Sequence, residues 1–160
     1  TTTVRLVHKY PDAKIIFAST GASVNPVSPY GFSKWACSEY LKRFHKNTVI
    51  LHFPNIFGQP RSVVDIFKGK DEVVIYGDGL QTRDYVHIDD IVRGLVLARD
   101  WEPGEYFMGS GRGTNLLELA EGKTVIFKEE RKEAKESVLP NTTPNWKPTI
   151  NVIDYLNESI

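Results

Sequence analysis

The chain has 160 residues, 41% of them hydrophobic and 25% charged, which is enough for one domain with its own core. Twenty Lys and Arg balance twenty Asp and Glu, so no net field recruits nucleic acid or an anionic membrane surface. The single cysteine, Cys37, excludes an internal disulfide framework; with no apolar run near the ~20 residues of a membrane span and no secretory signal, a soluble cytoplasmic protein is expected.

Residues 1–10 read as the tail of a helix, with Val4, Leu6 and Val7 apolar and Pro11 as its stop. A chain that opens inside a helix, without a cap or a Met, is expected to continue upstream. The run 14–18 is short and mostly apolar, as in a parallel strand buried on both faces. A Ser-Thr-Gly-Ala-Ser turn and a Pro-rich loop lead into a helix over 30–46, and a second apolar strand follows over 48–53. Residues 55–60 read as a Gly/Pro-punctuated loop, and 63–67 as a short helix or turn. A third strand over 73–76 ends at Gly77-Asp78-Gly79. Residues 83–87 read as extended, and Asp89-Asp90 are expected to cap a helix running to about Arg99. Then come a strand over 106–108, a short helix over 116–120, an extended segment over 124–127 and a last helix over 152–157. The charged run 128–136 reads as solvated surface. Strands alternating with helices predict an α/β fold with a largely parallel sheet.

Within the helix over 30–46, Tyr30 and Lys34 stand four residues apart and so share a face. An ammonium beside a phenol favours the phenolate, and such a phenol can pass a proton to or from a sugar hydroxyl or ketone. Thr20 sits at the carboxyl end of the preceding strand, where open α/β sheets bind ligands, and its hydroxyl can donate to a substrate oxygen. Tyr-x-x-x-Lys recurs by chance in many helices. After a strand ending in Ser-Thr it points to hydride-transfer chemistry. Gly109-Ser110-Gly111-Arg112-Gly113 has the composition of a phosphate cradle, but it follows a late strand and lacks a P-loop or dinucleotide fingerprint, so a turn is the better reading. His8, His45, His52 and His87 lack metal-ligand spacing, and no metal is expected.

Several stretches then recur in a familiar order: Phe17-Ala18-Ser19-Thr20, Ser28-Pro29-Tyr30-Gly31-Phe32-Ser33-Lys34, Asn55-Ile56-Phe57-Gly58-Gln59-Pro60, the block 76–90, Gly109-Ser110-Gly111 and Trp146-Lys147-Pro148. On these the chain resembles the extended short-chain dehydrogenase/reductase family, in its NAD-dependent sugar-nucleotide epimerase/dehydratase branch. The resemblance implies a Rossmann-like doubly wound parallel sheet, with a small α/β region for the substrate. It implies Tyr30 as proton-relaying base, Lys34 on the nicotinamide ribose, and Thr20 on the reacting sugar oxygen. Ser19 and Pro54 would join the cofactor side. Asn55 and Arg83 would hold the substrate diphosphate, Arg131 would be a second phosphate-binding arginine, and Val74 and Tyr76 would line the nucleobase. For Arg83 a surface ion pair with Asp84 is the alternative. For Arg131 it is membership of an ordinary charged run. A homodimer through the Tyr30 helix is also implied, with Trp35, Tyr40 and Leu41 as candidates for either the interface or the core.

By the same comparison the chain carries only the C-terminal half of the Rossmann unit. Residues 1–60 and 81–108 are expected to belong to it, and 61–80 and 109–160 mainly to the substrate region. The Gly-rich turn that seats the cofactor pyrophosphate has no counterpart here. Several loops are short as well, so a partial record of a longer protein is expected, with a truncated paralogue as the alternative. His52 stands where the family often has an arginine. Gly21-Ala22 stand where the dehydratases place an Asp-Glu proton-transfer pair directly after the Thr, which disfavours dehydration. The expected reaction is therefore NAD-dependent epimerisation at C4 of a UDP-sugar or close relative, with NADP also open. Hydride leaves C4, the ketosugar turns over, and the hydride returns to the other face. A nucleotide-sugar reductase or decarboxylase-type relative is the alternative enzyme, and a non-catalytic sugar-nucleotide-binding fragment the alternative from another class.

Overall fold

In the computed structural model, residues 2–130 and 135–158 are described. Helix α1 (Thr2–Lys9) carries His8 and Lys9 in its last turn, where positive charge suits the helix dipole. Its inward residue Val7 packs with Leu41 and Ile50. Strand β1 (Ile15–Thr20) is followed by a single 3-10 turn at Gly21–Ser23 and by helix α2 (Pro29–Phe44). Two local features start α2: the Ser28 hydroxyl accepts from the Gly31 amide at 3.1 Å, and Pro29 fills the first turn, where its missing N–H costs nothing. Gly31 is required by close approach, since a Cβ there would lie 2.3 Å from the Ala22 carbonyl oxygen. The Tyr-Gly pair thus seats the helix against the turn that follows Thr20.

Strand β2 (Thr48–Phe53) is buried along its whole length, as its mainly apolar sequence predicts. The chain continues through β3 (Asn55–Phe57), α3 (Val63–Phe67), β4 (Glu72–Tyr76), β5 (Thr82–His87) and α4 (Ile88–Leu97). It ends with β6 (Gly104–Phe107), β7 (Gly113–Asn115), α5 (Leu116–Leu119), β8 (Thr124–Lys128), β9 (Glu136–Ser137) and α6 (Val152–Asn157). β2 lies between β1 and β6 and is parallel to both, with Ser19 opposite His52 and Thr20 opposite Phe53. β3 and β9 run parallel to β5, β7 antiparallel to it, and β4 pairs in parallel with β8. The α/β architecture with predominantly parallel pairing is the expected one.

Two larger apolar cores lie beside the small cluster of Val7, Leu41 and Ile50. One gathers Val49, Leu51, Phe53, Val86, Ile91, Met108 and Trp146 under the β1–β2–β6 sheet. The other gathers Phe57, Val64, Phe67, Ile75, Tyr85, Leu119 and Val152 around β4, β5, α3 and α6.

Three local expectations change. The loop predicted at 55–60 begins with β3, whose three residues become a strand only by pairing with β5. The cap of α4 is His87, whose Nδ1 accepts from the Asp89 amide at 3.2 Å. Asp89 and Asp90 instead lie in the first turn, where their charge suits the helix N-terminus. The end of the predicted solvated run 128–136 joins β9 and is pinned to β5. Arg131 lies outside the described residues.

Candidate active site

The carboxyl ends of β1 and β2 open into a cleft of about 570 Å3 whose walls include Thr20, Gly21, Ala22, Ser28, Pro54, Asn55, Arg83 and Leu139. A second cleft, of about 500 Å3, is walled by Asn55, Phe67, Val74, Tyr76, Gln81 and Arg83. Asn55 and Arg83 line both, so the clefts meet at these two residues. Of the sequence-predicted site, Thr20, Pro54, Asn55 and Arg83 share the first cleft, and Asn55, Val74, Tyr76 and Arg83 share the second.

Each side chain has a local reason for its position. The Thr20 hydroxyl accepts from the Ala22 amide at 3.3 Å, which orients the oxygen and leaves its proton to donate. Arg83 is buried on β5, and its Nη1 donates to the carbonyls of Thr82 at 2.9 Å and Lys135 at 3.4 Å. Asp84, the neighbour proposed as a surface ion-pair partner, is fully buried. Its carboxylate accepts from the Ser110 amide at 2.9 Å and the Leu139 amide at 3.3 Å. Successive residues of a strand face opposite ways, so the pair divides its work: Arg83 to the clefts, Asp84 to the 109–113 turn. Burial pushes the Asp84 carboxyl above its ordinary range against these hydrogen bonds. The glycine-rich 109–113 segment is thus a turn anchored by Asp84, as its context predicts.

Tyr30 and Lys34 lie one helical turn apart on α2, the helix whose N-cap, Ser28, borders the first cleft. The Tyr30 ring is 57% exposed and does not itself line the cleft. Lys34 Nζ donates to the Ala18 carbonyl at 3.0 Å and lies 5.2 Å from the Phe17 ring centroid. Ser19 is buried away from both clefts, its hydroxyl 3.0 Å from that of Ser23 and 3.2 Å from that of Ser38. On α2, Leu41 is core at 0% exposure, Tyr40 packs beside it, and Trp35 remains 40% exposed, its ring tilted by 39° against that of Phe32 at 5.3 Å between centroids.

Sequence reasoning missed Ser137, Val138 and Leu139 as walls of the first cleft. The available signal was the change from charged to small and apolar residues after Glu136. It also missed the buried polar connection behind Thr20. There His52 Nε2 lies 2.7 Å from Glu105 Oε1, and Nδ1 lies 3.2 Å from the Thr20 carbonyl. Burial pulls the Glu105 carboxyl up, but the His52 hydrogen bond and the nearby Lys42 ammonium outweigh it and hold Glu105 below the usual range. Among the described residues, no group of His, Cys, Asp and Glu could hold a metal ion, and no helix is long and apolar enough to cross a membrane.

The model of the NAD dependent epimerase/dehydratase family matches residues 7–109. A Methanocaldococcus jannaschii protein with the provisional name UDP-glucose 4-epimerase is 31% identical over 145 residues, covering 72% of this chain and 48% of its own. The human dTDP-D-glucose 4,6-dehydratase is 27% identical over 146 residues, covering 83% of this chain and 38% of its own. The crystal structure of the Thermotoga maritima UDP-glucose 4-epimerase with UDP-glucose superposes with a TM-score of 0.85 at 29% identity, covering 96% of this chain and 65% of that one. The chain thus spans about half the length, or less, of these curated relatives. It belongs to the NAD-dependent epimerase/dehydratase family.

Proposed function

We propose that this chain forms the substrate side of an NAD-dependent nucleotide-sugar epimerase that inverts C4 of a UDP-sugar. The observation that carries the reading is the order of residues along the two joined clefts. Thr20 lies in one, Asn55 and Arg83 lie at the junction, and Val74 and Tyr76 lie in the other. A nucleoside diphosphate sugar has the same order: reacting sugar, diphosphate, base. Arg83 supplies charge-assisted hydrogen bonds to the diphosphate. The Tyr76 ring and Val74 give the base an apolar wall. The Thermotoga relative, with UDP-glucose in its structure, supports the nucleotide assignment.

At the sugar end the Thr20 hydroxyl orients the C4 oxygen, and Tyr30 holds the proton exchanged with that oxygen. The residues fit NAD on its nicotinamide side. Pro54 walls the cleft at the sheet's carboxyl edge, and Tyr30 and Lys34 on α2 would hold the nicotinamide ribose. When bound, the cofactor accepts and returns a hydride at C4. Gly21 and Ala22, which follow Thr20 on the cleft wall, bear no proton-transferring group, which supports epimerisation over elimination of water. We read residues 1–60 and 81–108 as the cofactor-side unit, and 61–80 with most of 109–160 as the substrate side. The apolar cores follow that division in part: Val49, Leu51, Val86 and Ile91 share one core and Val64, Phe67, Ile75 and Leu119 the other, while Phe57, Tyr85 and Trp146 cross it.

The test is incubation of the purified protein with NAD and UDP-glucose, with inversion at C4 followed by proton NMR. UDP-galactose without net NADH supports an epimerase. Stoichiometric NADH points to a reductase-type relative, and UDP binding without turnover points to a binding module.

A further inference from the structure

The end of β1 is held, residue by residue, from one stripe of α2. Tyr30, Lys34, Ser38 and Lys42 follow at four-residue steps along that helix. Lys34 Nζ takes the Ala18 carbonyl at 3.0 Å, and Ser38 Oγ lies 3.2 Å from Ser19 Oγ. Lys42 Nζ pairs with Glu105 at 3.3 Å, Glu105 takes Nε2 of His52 at 2.7 Å, and His52 Nδ1 lies 3.2 Å from the Thr20 carbonyl. The Ser23 hydroxyl donates to the same carbonyl at 2.6 Å and lies 3.1 Å from His52 Nδ1. The imidazole is only 3% exposed and stacks on Phe107 at 4.8 Å between centroids. His52 lines neither cleft.

We propose that His52 is a positioning residue for Thr20. The inference rests on the epimerase reading above. Two contacts on the Thr20 carbonyl fix the plane of the Thr20–Gly21 peptide, hence the extended backbone of Thr20 (φ −148°, ψ 153°) from which its hydroxyl is displayed. Anchoring the other side of the ring to Glu105, and Glu105 to Lys42, ties that peptide to the helix bearing Tyr30. His52 thereby sets the hydroxyl that orients the sugar oxygen relative to the phenol that exchanges its proton. The inner part of this chain, His52 with Ser19, Ser23 and Ser38, is buried and lacks water as an alternative partner, which gives geometric precision; Glu105 and Lys42 close it at the surface. Errors of about 1 Å in such alignment cost up to ~100-fold in rate.

The experiment compares wild type with His52→Leu, His52→Gln and Glu105→Ala, reading steady-state epimerisation, UDP affinity and thermal midpoint. Expected for His52→Leu is a fall in kcat on the order of 10- to 100-fold, with KM and UDP affinity within about twofold of wild type. His52→Gln, which keeps a side-chain donor towards the Thr20 carbonyl, recovers most of that loss. Glu105→Ala, at a partly exposed site, is expected to keep the thermal midpoint near wild type and to lower kcat less, and adding it to His52→Leu costs nothing further. An active wild type whose kcat is unchanged in His52→Leu overturns the positioning role only. So does a parallel loss of kcat, UDP affinity and thermal midpoint in both His52→Leu and Glu105→Ala. A wild type that binds UDP but does not epimerise overturns the epimerase reading, and this inference with it.

Discussion

Lys34 on α2 donates its ammonium to the carbonyl of Ala18 on β1 at 3.0 Å, fastening the helix that carries Tyr30 to the strand that ends at Thr20. Lys34→Met keeps the length of the side chain and removes the donor. On the proposed epimerase reading, turnover is expected to fall by at least ~100-fold, since the tie that fixes the Tyr30 helix to β1 and the ammonium one helical turn from Tyr30 are both lost. UDP affinity should stay near wild type, because Lys34 lines neither cleft. Isothermal titration with UDP beside the epimerisation assay separates the two effects.

Arg83 joins the two clefts, so its loss should be felt in binding before catalysis. Arg83→Lys keeps the charge but not the planar fork. It is expected to weaken UDP by about 1.5–3 kcal/mol, roughly 10- to 100-fold in Kd. Calorimetry checks this, with the thermal midpoint guarding against lost packing at a buried position.

Asp90 is one of the carboxyls that make stability depend on pH. Burial pulls its carboxyl up, but the Thr149 and Ile150 amides at 2.8 and 3.1 Å, the Thr149 hydroxyl and Arg93 outweigh burial and hold it below the ordinary range. A depressed carboxyl stabilises the fold at neutral pH, and that contribution fades as pH falls through the carboxylate range. Asp90→Asn should lower stability near pH 7 by about 1–3 kcal/mol and flatten the acid limb of a midpoint-versus-pH curve. Asp84 has the opposite sign: its raised carboxyl contributes stability that is lost as pH rises through its folded-state value.

Gly58 sits at φ +81°, and a Cβ there would lie 2.2 Å from Nε2 of His87. Gly58→Ala combines backbone strain with a clash against a buried ring. It should destabilise by more than about 2 kcal/mol, measured by urea unfolding.

These residues also show what a sequence can reveal. The stretch Thr48–Phe53 announces itself because burial on both faces favours an apolar run, here Val49-Ile50-Leu51, and Ser28-Pro29 marks a helix start through local chemistry. β3, β7 and β9 carry no such signal, since they have two or three residues each and owe their conformation to β5. Thr20, Asn55 and Arg83 were readable as motif positions, but the junction of two clefts at Asn55 and Arg83 is a tertiary fact. The His52 connection was hidden for the same reason: its partners, Thr20 and Glu105, lie 32 and 53 residues away. Leu41 illustrates a genuine ambiguity, because an apolar helix position reads alike whether it faces a core or a partner.

We propose a homodimer through the outer face of α2, where the rings of Phe32 and Trp35 pack against each other and stay exposed. Trp35→Glu should then halve the mass measured by light scattering without lowering the thermal midpoint, whereas Leu41→Glu should unfold the protein.

The most direct test of the central claim is the rate at which Tyr30→Phe interconverts UDP-glucose and UDP-galactose, read by NMR at C4 with UDP affinity measured alongside. Expected are an active wild type and a variant at least ~100-fold slower with unchanged UDP binding. A variant that turns over at the wild-type rate, or a wild type that releases a dehydrated sugar, would contradict it.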